Sequence, residues 1–157
     1  MMKTVLYDFK TSKESWFEEV ARLYHEKINH YCQFEIQSLK PSKLDRDDAT
    51  AKRKIETQEL LKKITTDDYV ILFDEKGKNL DSIQFSKAIE NCFTSGKKRL
   101  VFIIGGAFGV DEDIKNRAQL KVSFSPMVMN HLVAETVALE QIYRAFTIIK
   151  RIPYHNI

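Results

Sequence analysis

The stretch Arg99-Leu-Val-Phe-Ile-Ile-Gly-Gly-Ala-Phe-Gly109 decides how this chain is read. Leu100 to Ile104 is a short, continuous apolar run rich in β-branched residues. Such a run predicts a strand covered on both faces, as inside a parallel sheet. It leads directly into Gly105 and Gly106, with Gly109 close behind, so most of the chain's 5 glycines sit at the end of one buried strand. Glycine lets the backbone take positive φ and lets another group come close to the main chain. In open α/β sheets, ligands bind at the carboxyl ends of strands. Two readings of the turn follow: a tight strand-to-helix connection that binds nothing, or a rest for a ligand. The spacing is neither the dinucleotide fingerprint G-x-G-x-x-G nor a P-loop, since no Gly-Lys-Ser/Thr follows. A nucleotide-like ligand is allowed, and phosphate is not singled out. Asp111, Glu112 and Asp113 form the acidic first turn that a following helix favours.

On either side of this turn, strand and helix patterns alternate. Strands are predicted at Lys3 to Phe9, Gln33 to Leu39, Asp68 to Phe73 and Leu120 to Phe124, besides the central one. A helix is expected from about Lys13 to Tyr31, capped by Ser12, with Trp16, Phe17, Val20, Leu23, Tyr24 and Ile28 as its apolar stripe. A polar loop spans Pro41 to Asp48, and a second helix Ala49 to Ile64 turns Ile55, Leu60, Leu61 and Ile64 inward. Its Lys52-Arg53-Lys54 run reads as a solvated face rather than a nucleic-acid patch. Asp74 to Lys78 reads as a loop at a strand's carboxyl end, followed by a helix from Ser82 to Asn91. A short helix, about Asp111 to Arg117, and a long one, His131 to about Ile149, complete the set. Five strands alternating with helices predict right-handed βαβ crossovers and a three-layer α/β fold with a parallel sheet.

With 157 residues and no internal repeat, the chain suits one domain over residues 1–157. Its net charge of +3 permits an RNA or DNA partner without requiring one. Cys32 and Cys92 are far apart and lie in no C-x-x-C motif, which fits free thiols in a reducing cytoplasm better than a disulfide or a metal site. The amino terminus lacks a signal-peptide pattern, because Asp8 and Lys10 interrupt it. No apolar run approaches the ~20 residues of a membrane helix. A cytoplasmic protein with no membrane partner and no metal is expected.

The run Glu140-Gln-Ile-Tyr-Arg-Ala-Phe146, followed by Tyr154-His155, resembles the small SPOUT-class methyltransferases of the RlmH type. So do Ile103-Ile-Gly-Gly-Ala-Phe-Gly109 and Val122-Ser-Phe-Ser125 ahead of a loop that reaches His131. The order and spacing hold through the last sixty or so residues, and the length and element order match over the whole chain. The resemblance implies an α/β fold whose carboxyl-terminal segment makes a trefoil knot, which periodicity alone would not predict. It implies a homodimer that uses S-adenosylmethionine to methylate N3 of a pseudouridine in large-subunit (23S) ribosomal RNA. Members of the family are little more than a catalytic domain, so the assembled ribosome supplies much of the recognition surface.

Matched position by position, the resemblance puts the cofactor against Phe73, Gly105, Gly106, Ser125, Pro126, Met127, Val128, Met129 and Asn130. Met127 and Met129 can pack on the adenine or fill the core beneath their loop. His131, Arg144, Tyr154 and His155 match the family's catalytic positions. Each has a plain alternative: His131 as a structural hydrogen-bonder, Arg144 as an i,i+4 partner of Glu140, and the last two as a disordered tail. The resemblance makes Tyr154 and His155 complete the pocket of a partner subunit.

Four departures stand out. Asn130 replaces the usual proline before the loop histidine, and Glu135 stands where the family has an arginine, removing an RNA contact. At i,i+4 from His131, Glu135 is expected to favour the protonated imidazole. The first strand leads into Tyr7-Asp-Phe-Lys-Thr11 with no glycine, and the tail ends His-Asn-Ile. Other readings stay open: methylation of a different RNA position, a non-catalytic ribosome- or RNA-binding homologue, and a flavodoxin-like nucleotide-binding module.

Overall fold

The computed structural model describes residues 2–9, 12–40, 42, 48–106 and 109–156. Most of the polar loop expected over Pro41 to Asp48 lies outside them, as do Lys10, Thr11, Ala107 and Phe108. Among the described residues five strands alternate with five helices: β1 (Lys3–Phe9), α1 (Ser15–Asn29), β2 (Gln33–Leu39), α2 (Ala49–Lys63), β3 (Asp68–Asn79), α3 (Ser82–Phe93), β4 (Arg99–Ile104), α4 (Glu112–Arg117), β5 (Leu120–Ser123) and α5 (His131–Ile149). All pairings are parallel, in the order β2-β1-β4-β3-β5. β4 is therefore central, and Leu100, Val101, Phe102 and Ile103 are fully buried, as the unbroken apolar run requires.

Alternate residues of each strand serve two cores. Leu6, Ile71, Leu100 and Phe102 pack with α1, α3 and α5 through Phe17, Ile28, Phe85, Ile89, Leu139 and Ile142. Val5, Tyr7, Phe9, Val70, Leu72, Val101 and Ile103 pack with Leu60 of α2 and Ile114 of α4. This is the three-layer arrangement that the alternation of elements predicts. At the amino ends of the strands, Asp68 of β3 accepts from Arg99 of β4 through Nε and Nη2, both at 2.7 Å. The carboxyl ends are left for the glycine turn.

Several expectations are corrected. Ser12 does not cap α1; Glu14 occupies the cap position without a side-chain bond, and Trp16 and Leu23 are exposed. Ile55 of α2 is exposed as well, while Glu56 and Thr57 are buried in its place. Lys52 is not a solvated charge: its ammonium donates to the Ser42 carbonyl at 2.9 Å and lies 3.9 Å from Glu56 Oε2.

The largest change is in β3. The expected loop Asp74 to Lys78 is an irregular continuation of the strand, in which Phe73 and Lys78 both pair with Val122. Four intervening residues bulge outward, and pairing resumes at Lys78 and Asn79. Main-chain bonds hold this extension, so its polar side chains carried no strand signal. Gly77 sits where a Cβ would lie 2.7 Å from both the Lys121 carbonyl carbon and the Val122 nitrogen. Backbone cannot yield as a side-chain tip can. Gly77→Ala is expected to destabilise the fold by about 2 kcal/mol, lowering Tm by roughly 4–8 °C. A thermal melt unchanged within one degree would show that β5 shifts freely.

Candidate functional site

The bulge of β3, the end of β4 and the β5–α5 connection meet beside one another. A small cleft of about 90 Å³ opens there, lined by Phe73, Asp74, Glu75, Ile104, Phe124, Met127 and neighbouring residues. Its floor is aromatic: Phe73 stacks on Phe124 at 4.5 Å and on Phe102 at 5.7 Å. Its rim carries the carboxylates Asp74 and Glu75, brought there by the bulge in β3.

The β5–α5 connection is braced internally. Ser125 accepts the Met127 N–H at 2.9 Å, and Ser123 Oγ donates to the Ser125 carbonyl at 3.1 Å. Asn130 Oδ1 accepts the Leu132 N–H at 3.0 Å, capping α5, a bond worth about 1 kcal/mol in helices generally. Met127 and Val128 are each 78% exposed, so Met127 does not fill the core. Of the residues expected around the ligand, Phe73, Ser125, Met127 and Met129 line the cleft. Pro126, Val128 and Asn130 shape the same loop without lining it, and Gly105 and Gly106 follow directly after the cleft residue Ile104.

The glycine turn is folded tightly. The Gly109 N–H donates to the Gly106 carbonyl at 2.9 Å, and Gly109 has φ 76°. A Cβ on Gly105 would lie 2.9 Å from the Gly109 carbonyl carbon, and one on Gly106 would lie 2.6 Å from Glu56 Oε1. Two buried polar residues of α2 hold this turn. Glu56 is 3% exposed and accepts the Ser42 N–H at 3.0 Å; Thr57 Oγ1 accepts the Asp111 N–H at 2.9 Å.

His131 opens α5 above this region, and its Nε2 is buried with no hydrogen-bond partner. Burial pushes its imidazole below the ordinary value of 6.5, and the carboxylates of Asp8 and Glu56 only partly oppose this. Desolvation outweighs the nearby charges, so the ring is held toward its neutral form, against the expected protonated one. Glu135 is fully buried, so its exchange for arginine alters the interior rather than an exposed RNA contact. The folded protein binds this proton less readily than the unfolded chain. Its stability therefore rises with pH through the window below about 6.5 and is lost as the solution is acidified. His131→Gln is expected to flatten the Tm–pH curve between pH 7.5 and 5.5; an equally steep curve in the variant would remove His131 as the cause.

A second cluster lies far down α5. The Arg144 guanidinium donates to Glu140 Oε1 from Nη2 at 2.7 Å and from Nε at 3.1 Å. Tyr154 OH donates to the same oxygen at 3.1 Å, and Arg144 Cζ lies 4.7 Å from the Tyr154 ring centroid. Nη1 of Arg144 meets His155 Nδ1 at 3.1 Å. The tail is thus docked, not disordered. It is turned back by a full Schellman motif: Ile152 N–H donates to Thr147 O at 2.8 Å, Arg151 N–H to Ile148 O at 3.1 Å, and Arg151 takes φ 58°. Arg144, Tyr154 and His155 are brought together, and His131 is not with them. At roughly 1.5 Å per residue along the α5 axis, Arg144 is about 20 Å from His131.

A family model described as "Predicted SPOUT methyltransferase" matches residues 2–155. The chain belongs to the SPOUT methyltransferase family. It is 61% identical over 156 residues to the protein named Ribosomal RNA large subunit methyltransferase H of Bdellovibrio bacteriovorus, covering 99% of this chain and 100% of that protein. It is 36% identical over 148 residues to a protein of the same name from Christiangramia forsetii, with 94% of each chain covered. Among solved structures it is similar to a probable methylase family protein from Haemophilus influenzae Rd KW20. The TM-score is 0.53 at 10% identity, over 99% of this chain and 70% of that one, a likeness of fold alone.

In this SPOUT methyltransferase, sequence reasoning missed the carboxylates Asp8 and Glu56 near the glycine turn, and gave Glu140 only as the helical partner of Arg144. Asp8 is fully buried at the end of β1, and among the described residues neither carboxylate oxygen has a hydrogen-bond partner. Glu56 braces the glycine turn, and Glu140 gathers the tail. A charge closing an apolar strand was a usable sign for Asp8. Glu56 carries none, because it lies within a run of charges on a polar helix.

Proposed function

We propose that this SPOUT methyltransferase moves a methyl group from S-adenosylmethionine to N3 of a pseudouridine in large-subunit (23S) ribosomal RNA, with the assembled ribosome as substrate. The observation that carries this reading is the end-to-end 61% identity to a protein named Ribosomal RNA large subunit methyltransferase H. The cleft agrees with it. It offers an aromatic and thioether surface for an adenine, main-chain groups of the β5–α5 connection for hydrogen bonding, and carboxylates at its rim for hydroxyls or an ammonium.

Phe73, Ser125, Met127 and Met129 would hold the cofactor, with Gly105, Gly106, Pro126, Val128 and Asn130 fixing the shape of the two connections around it. Bound there, S-adenosylmethionine supplies a methyl group already activated on a sulfonium. The chain's own work is then to orient the base, exclude water and assist loss of the N3 proton. Orientation of two reactants can supply roughly 7–11 kcal/mol, against the 10²–10⁴-fold of a well-placed base. The pocket thus outweighs any single histidine.

His131, Arg144, Tyr154 and His155 are the residues we assign to the RNA side. The separation of about 20 Å along α5 means that one chain does not bring Arg144 and its tail to its own His131. We therefore favour a homodimer in which the tail of one copy closes the cleft of the other. The same reading makes residues 1–157 one domain with a carboxyl-terminal trefoil knot, working in the cytoplasm.

The test is methyl transfer from labelled S-adenosylmethionine to ribosomes that lack the modification, with free RNA as the control. Incorporation into ribosomes alone, mapped by mass spectrometry to N3 of one pseudouridine, is expected. Incorporation at another nucleotide, or cofactor binding without any transfer, would overturn the reading.

A further inference from the structure

We infer that Glu140 is a positioning residue that fixes His155, through Arg144, as the tautomer with its proton on Nε2, so that His155 gives a hydrogen bond at the target base and does not take its proton. The inference deepens the reading above and rests on it only for what His155 meets.

Glu140 is engaged on both oxygens by neighbouring donors. Its two oxygens receive Arg144 Nη2 at 2.7 Å, Arg144 Nε at 3.1 Å, Tyr154 OH at 3.1 Å and Gln141 Nε2 at 2.9 Å. Oε1 takes three of these donors, and Oε2 takes Gln141 together with a longer contact from Arg144 Nε at 3.4 Å. What the carboxylate does is clamp the guanidinium fork at two of its nitrogens and leave Nη1 pointing at the tail. The Tyr154 ring covers one face of the fork, with Cζ 4.7 Å from the ring centroid.

The next contact sets a proton position. Nη1 of Arg144 lies 3.1 Å from Nδ1 of His155. A guanidinium only donates, so Nδ1 accepts. An imidazole that accepts at Nδ1 carries its proton on Nε2, and that nitrogen can then only donate. The Schellman turn at Arg151 and the Tyr154–Glu140 bond hold the tail in the register that keeps this contact. Carbonyl oxygens of a uracil-like ring, which gain charge as N3 loses its proton, are the acceptors such a donor suits. Proton removal falls to another group.

The first test needs no substrate. Long-range proton–nitrogen NMR of ¹⁵N-histidine-labelled protein near neutral pH is expected to show His155 protonated on Nε2 and bare on Nδ1. In Glu140→Gln, which keeps the shape but releases the fork, the signal is expected to become a tautomer mixture. A native His155 with its proton on Nδ1, or a tautomer unmoved in Glu140→Gln, would overturn the inference even if methylation is robust. The second test asks what the proton is for. His155→Gln places an amide N–H near the Nε2 position and is expected to keep kcat within about tenfold of the parent, whereas His155→Leu is expected to lose about 10²-fold. Equal losses in both would make His155 the base instead. Should the parent protein methylate no ribosome, the proposed function fails, and the NMR result still judges the tautomer.

Discussion

Arg144→Ala lowers kcat/KM for ribosome methylation by about 10²-fold or more, while the Kd for S-adenosylmethionine stays within about threefold of the parent. The expectation comes from where the fork sits. It belongs to the tail cluster with Glu140, Tyr154 and His155, about 20 Å along α5 from the residues beside the cleft. Removing it deletes a planar donor and also releases the His155 contact and the cover over the Tyr154 ring. The pair with Glu140 is partly exposed and by itself contributes only about 0.5 kcal/mol to stability, so the variant should fold. Arg144→Lys should recover little, because an ammonium cannot hold Glu140 at two points and reach His155 as well. Unchanged methylation by Arg144→Ala would take the whole tail cluster out of the site.

Gly106→Val abolishes detectable binding of S-adenosylmethionine in a calorimetric titration, a loss of at least about 10²-fold. The first added carbon would already lie 2.6 Å from Glu56 Oε1 and 3.7 Å from Phe9 Cβ. Glu56 cannot swing outward freely. It is 3% exposed, with Oε2 bonded to the Ser42 N–H and 3.9 Å from the Lys52 ammonium. Strain therefore goes into the turn that directly follows the cleft residue Ile104. Relief can be measured: Gly106→Ala should bind weakly, and adding Glu56→Ala should restore part of the affinity, a coupling that independent sites would not show. Near-normal binding by Gly106→Val would refute the assignment of the pocket to this turn.

The elements of the fold were legible because burial on two faces and on one face leave different periods. β4 and α5 were placed to within a residue of their ends, the strand by its unbroken apolar run. β3 was cut short at Phe73 because its last residues are held by main-chain pairing across a bulge, and polar side chains carry no record of that. Trp16 and Leu23 were placed inside because an apolar stripe tells which face is apolar, not how much of it a neighbour covers. The glycines announced a turn at a strand end; the family resemblance, not spacing, named Phe73, Ser125, Met127 and Met129, which line a cleft beside that turn.

By itself the sequence determined the alternation of strands and helices, the central buried strand, the glycine turn after it and the two sets of side chains near the chain's end. Those features follow from local composition and spacing, which act before any long-range contact forms. Only the tertiary structure decided that Glu56 stands behind Gly106, that Asp8 ends buried beside His131's charge environment, and that Glu140 gathers Arg144 and Tyr154 while His155 closes on the fork. Each joins groups from different elements, or a helix and a returning tail. Such a meeting is fixed by how helices settle on the sheet and how the tail reverses at Arg151, and no single stretch of residues encodes either.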